Sequence, residues 1–239
     1  MTALVRIVLI DPSHPGNIGS VARAMKNMAL SDLVLVRPRS FPHAESNALA
    51  AGADDVLAAA RVVDSVTEAI ADCAFVAGTT SRPRSYTWEF ATPRDVAARI
   101  TAVSASDRAA LLFGSERFGL GTDDLNHCNI LVRIPANPEY CSLNLAMSVQ
   151  LLSYELLLAR EQSTSALQLD EPLATSADME HFYRHLETVF NEVDFADRTG
   201  YLMQRVRRLF NRAQVDQNEM NILRGFLSKV QRRLPPGAP

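Results

Sequence analysis

Five short apolar runs leave this chain few architectures: Val5-Arg-Ile-Val-Leu-Ile10, Leu33-Val-Leu-Val36, Ala74-Phe-Val-Ala77, Ala109-Ala-Leu-Leu-Phe113 and Ile130-Leu-Val-Arg-Ile134. Most are apolar at successive positions rather than at alternate ones. Strands of that kind are buried on both faces, as in a parallel sheet covered by helices. The intervening segments have helical spacing. Val21, Met25 and Met28 share one face, with Ser20 as the expected N-cap. Residues 44–51 and 65–71 read as helices, Val62-Val63 as a weak strand, and Pro93 sits at the first position of a helix ending near Val103. From Leu143 to Arg160, Leu145, Val149, Leu152 and Leu156 recur at a helical period. The expected class is α/β, a mostly parallel sheet with helices on both faces.

A second unit follows. Residues 161–177 are rich in Gln, Ser, Thr, Asp and Glu, lack periodicity and read as a linker between a domain at 1–160 and another at 178–239. The second unit shows three helical stretches: Met179–Val193, Tyr201–Arg212, and one opened by the capping-box-like Asp216-Gln-Asn-Glu219 and running to about Arg232. Residues 198–233 hold nine Lys/Arg against Asp216 and Glu219, a net +7, so the rest of this −3 chain carries −10. A basic helical tail on an acidic body suits either a polyanion partner or a solvated helix face.

Several classes are disfavoured. No apolar stretch approaches the ~18 residues needed to span a bilayer. The first residues lack the pattern of a signal peptide. Cys73, Cys128 and Cys141 are odd in number and form no C-x-x-C pair, against a disulfide framework or zinc knuckle and in favour of a reducing cytoplasm. His181 and His185 have i, i+4 metal-ligand spacing without a third ligand, so no metal is expected. Cys141 reads as a buried neutral thiol rather than a nucleophile.

Three loops carry the chemistry. In Asn17-Ile-Gly-Ser-Val-Ala-Arg23, Asn17 is expected in the loop after the first strand and Arg23 in the first turn of the next helix, where both reach one polar or anionic group. Gly16 and Gly19 read more simply as a strand-to-helix turn than as a dinucleotide fingerprint. In Phe113-Gly-Ser-Glu-Arg-Phe-Gly-Leu120, Gly114 lets backbone approach a ligand, while Glu116 and Arg117 suit either a site or a surface ion pair. In Asn137-Pro-Glu-Tyr-Cys-Ser-Leu-Asn144, a rigid loop leads to Ser142 and Asn144 at the mouth of the long helix, where Ser142 also suits a plain N-cap.

With Ala48-Leu-Ala-Ala-Gly-Ala53, Ser142-Leu-Asn-Leu-Ala-Met147 and Asn221-Ile-Leu-Arg-Gly225, these motifs resemble the SPOUT superfamily of RNA 2′-O-methyltransferases over nearly the whole chain. The resemblance implies a trefoil-knotted catalytic domain, a small all-helical C-terminal domain and a homodimer, with the long helix after Leu143 as an interface element. It implies transfer of a methyl from S-adenosyl-L-methionine to the ribose 2′-OH of cytidine or uridine at position 32 of the tRNA anticodon loop. Catalysis and RNA-phosphate handling fall to Asn17, Arg23, Glu116, Ser142 and Asn144. The donor falls to Thr79, Thr80, Ser81, Gly114, Ile134, Cys141, Ser142 and Leu143, with Cys141 where the family is expected to carry Ser. RNA contacts fall to Arg82 and Arg84 beside the donor and to Arg205, Arg207, Arg208 and Arg212 on the basic tail. Activation of the hydroxyl is assigned to Arg23. Because arginine stays protonated, Arg23 either acts as a base assisted by phosphate and desolvation, or holds the phosphate while water takes the proton. An rRNA 2′-O-methyltransferase of the same superfamily and a non-catalytic RNA-binding protein are the alternatives.

Overall fold

A computed structural model describes residues 4–81, 88–103, 107–162, 171–195 and 201–234. Seven strands form one sheet: β1 (Leu4–Ile10), β2 (Asp32–Val36), β3 (Arg61–Val63), β4 (Cys73–Thr79), β5 (Phe90–Ala91), β6 (Arg108–Phe113) and β7 (Ile130–Val132). Their spatial order is β3-β2-β1-β6-β4-β7-β5, and every pairing is parallel. The five expected strands are present, and Phe90–Ala91 adds an edge strand too short to leave a sequence pattern. β6 runs between β1 and β4, in register from Leu4↔Arg108 to Leu9↔Phe113 on one side. Chain order reverses between β1 and β6, and in open parallel sheets ligand crevices form at the carboxyl ends of strands beside such a switch.

Two-residue periodicity sorts the strand side chains. Val5, Ile7 and Leu9 of β1 point into the larger core, with Leu33, Leu35, Phe75, Leu111 and Phe113. That face is covered by α1 (Pro15–Asn27), α2 (Ala44–Ala50), α3 (Asp54–Ala58), α5 (Pro93–Ala102) and α7 (Leu145–Gln162). Val8 and Ile10 point the other way, into a core closed by α4 (Val66–Ile70) and α6 (Thr122–Leu125). On α7, Leu145, Val149, Leu152 and Leu156 are all buried, as their spacing requires.

Arg6 breaks the apolar pattern of β1 and is only 4% exposed. Its guanidinium donates to Ala69 O at 2.7 Å and pairs with Asp32 and Asp72, to which Arg108 also binds. Two arginines and two aspartates balance, which is how a buried charge is tolerated. The cluster lies at the amino edge of the sheet, opposite the switch loops.

Helix α1 begins at Pro15, with His14 as N-cap. Ser20 is therefore inside the helix, not at its cap, and Arg23 is past its second turn. Pro15 supplies the start signal, since a fixed φ suits the first helical position. Asn17 is in the first turn rather than the loop. The two glycines serve packing. A Cβ on Gly19 would stand 2.1 Å from the Ser46 carbonyl oxygen of α2, and one on Gly16 would meet the Glu45 side chain at 2.7 Å. Ser46 Oγ donates to Pro15 O at 2.8 Å and fastens the same contact.

Within the span read as a linker, Leu173 and Ala174 are buried, and Thr175 caps α8 (Ser176–Glu192) in a capping box with Asp178. With α9 (Tyr201–Ala213) and α10 (Gln217–Gln231), α8 builds a separate core around Phe182, Tyr183, Leu186 and Met220. Asp216 and Glu219 form the expected capping box of α10. This unit docks on the sheet domain through polar contacts. Ser176 Oγ donates to Cys73 O at 3.0 Å, Asn129 Nδ2 to Asn211 O at 2.7 Å, and Asn211 Nδ2 to Asn126 O at 3.0 Å. No helix among the described residues is long and apolar enough to cross a membrane.

Two glycines with opposite surroundings test the packing. Gly19→Ala forces backbone against backbone and is expected to cost at least about 1–3 kcal/mol. Gly225, inside α10 with nothing within 4 Å of an added Cβ, is expected to gain about 0.5–1 kcal/mol on substitution by Ala. Urea unfolding of both variants measures the contrast.

Candidate active site

The loops after β1 and β6 and the start of α7 meet through one carboxylate. Glu116 accepts hydrogen bonds from Ser13 N (2.9 Å), Ser13 Oγ (2.7 Å), His14 N (3.2 Å) and Asn17 Nδ2 (2.9 Å). Asn17 Oδ1 in turn accepts from Asn144 Nδ2 at 3.1 Å. Three of the five residues expected to act together, far apart in sequence, thus form a continuous chain. Burial works against the Glu116 charge, but the hydrogen bonds from Asn17 and Ser13 outweigh it and hold the carboxyl down at about 2. A Glu116–Arg117 pair is not needed to explain this carboxylate. The Arg117 guanidinium lies 5.1 Å from the Phe118 ring centroid.

Beside this chain opens a cleft of about 290 Å3, near the lower end of the roughly 300–1,000 Å3 usual for small-molecule sites. Thr79, Thr80 and Ser81 form one wall, Gly114 through Gly119 a second, and Ile134 with Cys141, Ser142 and Leu143 a third. All eight residues expected at a donor pocket line it, together with Glu116. Phe113, Val132, Leu143 and Leu145 supply apolar surface, and Thr80, Ser81, Ser142 and Ser148 supply hydroxyls. Ser13 and His14, which hold Glu116, are not among the expected site residues, and their place directly after β1 is the one signal for them. Phe118, inside the 113–120 motif, and Ser148, one turn beyond Asn144, also line the cleft without being among the expected site residues.

Several expectations need correction. A Cβ on Gly114 would lie 2.0 Å from Gly119 C and 2.2 Å from Leu120 N, so glycine is required there by its own loop rather than by ligand approach. Cys141 is exposed on the cleft wall, not buried. The buried thiols are Cys73 and Cys128, and burial pushes Cys73 up to about 12. Ser142 does not cap α7. Asn144 does so, its Oδ1 accepting from Ala146 N at 2.8 Å and its carbonyl from Ser148 N at 3.0 Å, which leaves Ser142 exposed at the cleft.

Arg23 is exposed on α1, does not line the cleft, and has no side-chain partner among the described residues. Because it lies beyond the first turn, the positive end of the helix dipole favours anions at Asn17 rather than at Arg23. Arg82 and Arg84 lie outside the described residues. On α9 the arginines differ. Arg205 and Arg212 are exposed, Arg205 lying over Tyr201 at 4.9 Å and Arg208 over Trp88 at 5.8 Å. Arg207 grips Glu180 with both guanidinium nitrogens, at 2.5 and 3.0 Å, and covers Tyr183 at 4.5 Å. His185 Nε2 meets Gln231 Oε1 at 2.8 Å, and no group of three or more His, Cys, Asp or Glu among the described residues is placed to hold a metal.

The carboxylate chain has a measurable pH signature. Glu116 lies near 2 in the folded protein against an ordinary value of 4.5. Its contribution to stability is complete above about pH 4.5 and fades as pH falls toward 2. Glu116→Gln is expected to flatten the plot of unfolding free energy against pH across that window, measured by urea titration at successive pH values. Equal slopes would mean that these donors do not hold the carboxylate.

Comparison with known proteins places this geometry. A model of the SpoU rRNA Methylase family matches residues 4–154, and a model of the C-terminal domain of tRNA methyltransferase TrmJ matches residues 177–238. The tRNA (cytidine/uridine-2′-O-)-methyltransferase TrmJ of Sodalis glossinidius is 45% identical over 98% of this chain and 94% of its own length. The tRNA (cytidine/uridine/adenosine-2′-O-)-methyltransferase TrmJ of Pseudomonas aeruginosa is 44% identical over 95% and 94%. The crystal structure of TrmJ from Z. mobilis ZM4 is similar with a TM-score of 0.85 at 36% identity, covering 96% of this chain and 100% of that one. A parallel sheet with its cleft beside the β1–β6 switch, followed by a matching helical unit, makes this chain a member of the SpoU methylase family, in its TrmJ branch.

Proposed function

We infer that this protein transfers a methyl from S-adenosyl-L-methionine to the ribose 2′-OH of cytidine or uridine at position 32 in the anticodon loop of tRNA. The observation that carries the reading is the Glu116–Asn17–Asn144 chain set along one side of the cleft. The cleft fits the donor in kind, with apolar side chains for an adenine ring and hydroxyls for the ribose and amino-acid ends. When bound, the donor supplies an electrophilic methyl on a sulfonium.

The residues of the chain then have a limited task. In-line displacement depends on alignment, so the rigid chain of Glu116, Asn17 and Asn144 fixes the floor on which the ribose rests. Ser142, exposed at the cleft, faces the same place. Arg23, charged, outside this subunit's cleft and without a protein partner among the described residues, holds the RNA phosphate, and solvent is the proton acceptor in the simplest scheme. Arg205, Arg208 and Arg212 extend the grip along the tRNA backbone. The same reading takes the catalytic domain as residues 1–160 and the tRNA-gripping domain as 178–239, joined through 161–177. It includes the deep knot, supported by the sheet order in which β6 lies between β1 and β4. It includes a homodimer, supported by Met147, Leu151 and Tyr154, exposed at i, i+4, i+7 on α7 opposite its buried stripe. A cytoplasmic location follows from the substrate.

The rRNA alternative is met by the helical unit that matches the TrmJ C-terminal domain. A tritiated-methyl transfer assay on bulk tRNA and on ribosomal RNA is expected to label tRNA alone, and label in rRNA would overturn the assignment. Arg23→Ala is expected to abolish transfer while leaving donor affinity, read by calorimetry, within about twofold of wild type. Loss of donor binding would remove Arg23 from the acceptor side. On α9, Arg205→Ala and Arg212→Ala are expected to weaken tRNA binding without changing thermal stability. Arg207→Ala strands Glu180, whose carboxyl is held down at about 2 against the pull of burial by His127 and Arg207. It is therefore expected to lower the melting temperature.

A further inference from the structure

The Glu116–Asn17–Asn144 chain divides the carboxyl edge of the sheet. Over β4, β6 and β7 lies the cleft. On the proposed function, the strand that brings a hydroxyl to this cleft is taken to cross the loops after β1 and β2, on the side where Ser13 and His14 hold Glu116. Those loops present cations. Arg37 is already engaged, pairing with both Asp11 oxygens at 2.9 Å and donating to Asp64 O at 3.1 Å. Arg39, two residues on, is exposed, and its guanidinium has no ion pair or hydrogen bond among the described residues. Some other surface cations are matched, Lys26 with Asp55, Arg94 with Glu155 and Arg99 with Glu89, while Arg23 and Arg61 share with Arg39 the lack of a partner among the described residues.

Arg39 is nevertheless not on a loose loop. Its backbone N–H donates to Pro12 O at 3.1 Å, directly before Ser13 and His14, which hold Glu116. The far end of the loop is closed by His43, whose Nδ1 accepts from Glu45 N at 3.2 Å to cap α2. An anchored arginine without an anion, beside loops that fix the reacting sugar, suits a phosphate, which guanidinium binds with two donors. We propose that Arg39 is a phosphate-binding residue of the catalytic domain, gripping the RNA backbone next to the nucleotide presented to Arg23. The proposal rests on the proposed function and names an RNA contact outside the basic C-terminal helices.

The test is the salt dependence of tRNA binding by the full-length protein. Removing one phosphate-binding cation makes the slope of log K against log salt shallower by about 0.7–0.9. Arg39→Gln is expected to show that change, so its loss of affinity between 50 and 200 mM salt is about threefold smaller than that of wild type. Arg39→Lys keeps the charge and is expected to keep the slope. Arg61→Gln is the control: it removes the same charge from an exposed arginine without a partner among the described residues, at the amino end of β3. S-adenosylhomocysteine affinity is expected to be equal in all of them, which excludes general damage to the fold. A slope for Arg39→Gln equal to that of wild type or of Arg61→Gln overturns the proposal while leaving the methyltransferase reading intact. A wild-type protein that neither binds nor methylates tRNA overturns that reading, and this inference with it.

Discussion

The insertion of β6 between β1 and β4 is the constraint from which the site follows. β6 is paired in parallel on both sides and covered on both faces, so its side chains are apolar in both directions, and Ala109, Ala110, Leu111, Leu112 and Phe113 are all buried. Parallel pairing also sends the carboxyl ends of β1, β4, β6 and β7 to one edge. The loop that leaves β6 must turn at once, and Gly114 turns with its Cα against the Gly119–Leu120 peptide. That tight return carries Glu116 to Ser13, His14 and Asn17, and the cleft is the space left between the turn and the ends of β4 and β7.

Electrostatics treat the two edges of the sheet differently. At the amino edge, Arg6 and Arg108 are balanced by Asp32 and Asp72, and the charges serve the fold. At the carboxyl edge, Glu116 is held charged by neutral donors, and Arg39 there and Arg23 further along α1 have no acid opposite them among the described residues. A carboxylate satisfied by amides and a hydroxyl positions its neighbours without neutralising nearby cations, which remain open to a polyanion.

Much of this is legible in the sequence, for identifiable reasons. Strands buried on both faces betray themselves by continuous apolar runs, and α7 by Leu145, Val149, Leu152 and Leu156. The cleft loops follow directly from strand ends, so a residue such as Thr79 or Ile134 is placed by its distance from a strand. Contacts made across the chain are not legible. That Gly19 answers to Ser46, and Gly114 to Gly119, depends on distances that no local pattern encodes. The start of α1 misleads because His14 caps it without a side-chain hydrogen bond, while Ser20 looks like a better cap than it is. In sequence Arg207 resembles its neighbours on α9, and only Glu180 beneath it, 27 residues away, sets it apart.

Asn211 settles how the basic helices relate to the cleft. Its amide reaches Asn126, its carbonyl takes a bond from Asn129, and its side-chain oxygen takes the Tyr183 hydroxyl at 2.6 Å. Asn129 in turn accepts from Val76 N inside the sheet at 2.6 Å. Helix α9 is therefore bolted to the turn that enters β7, not hung from a tether. The exposed Arg205 and Arg212 of that helix are thus held at a set span from the loops of the cleft, as the two jaws of callipers are held apart.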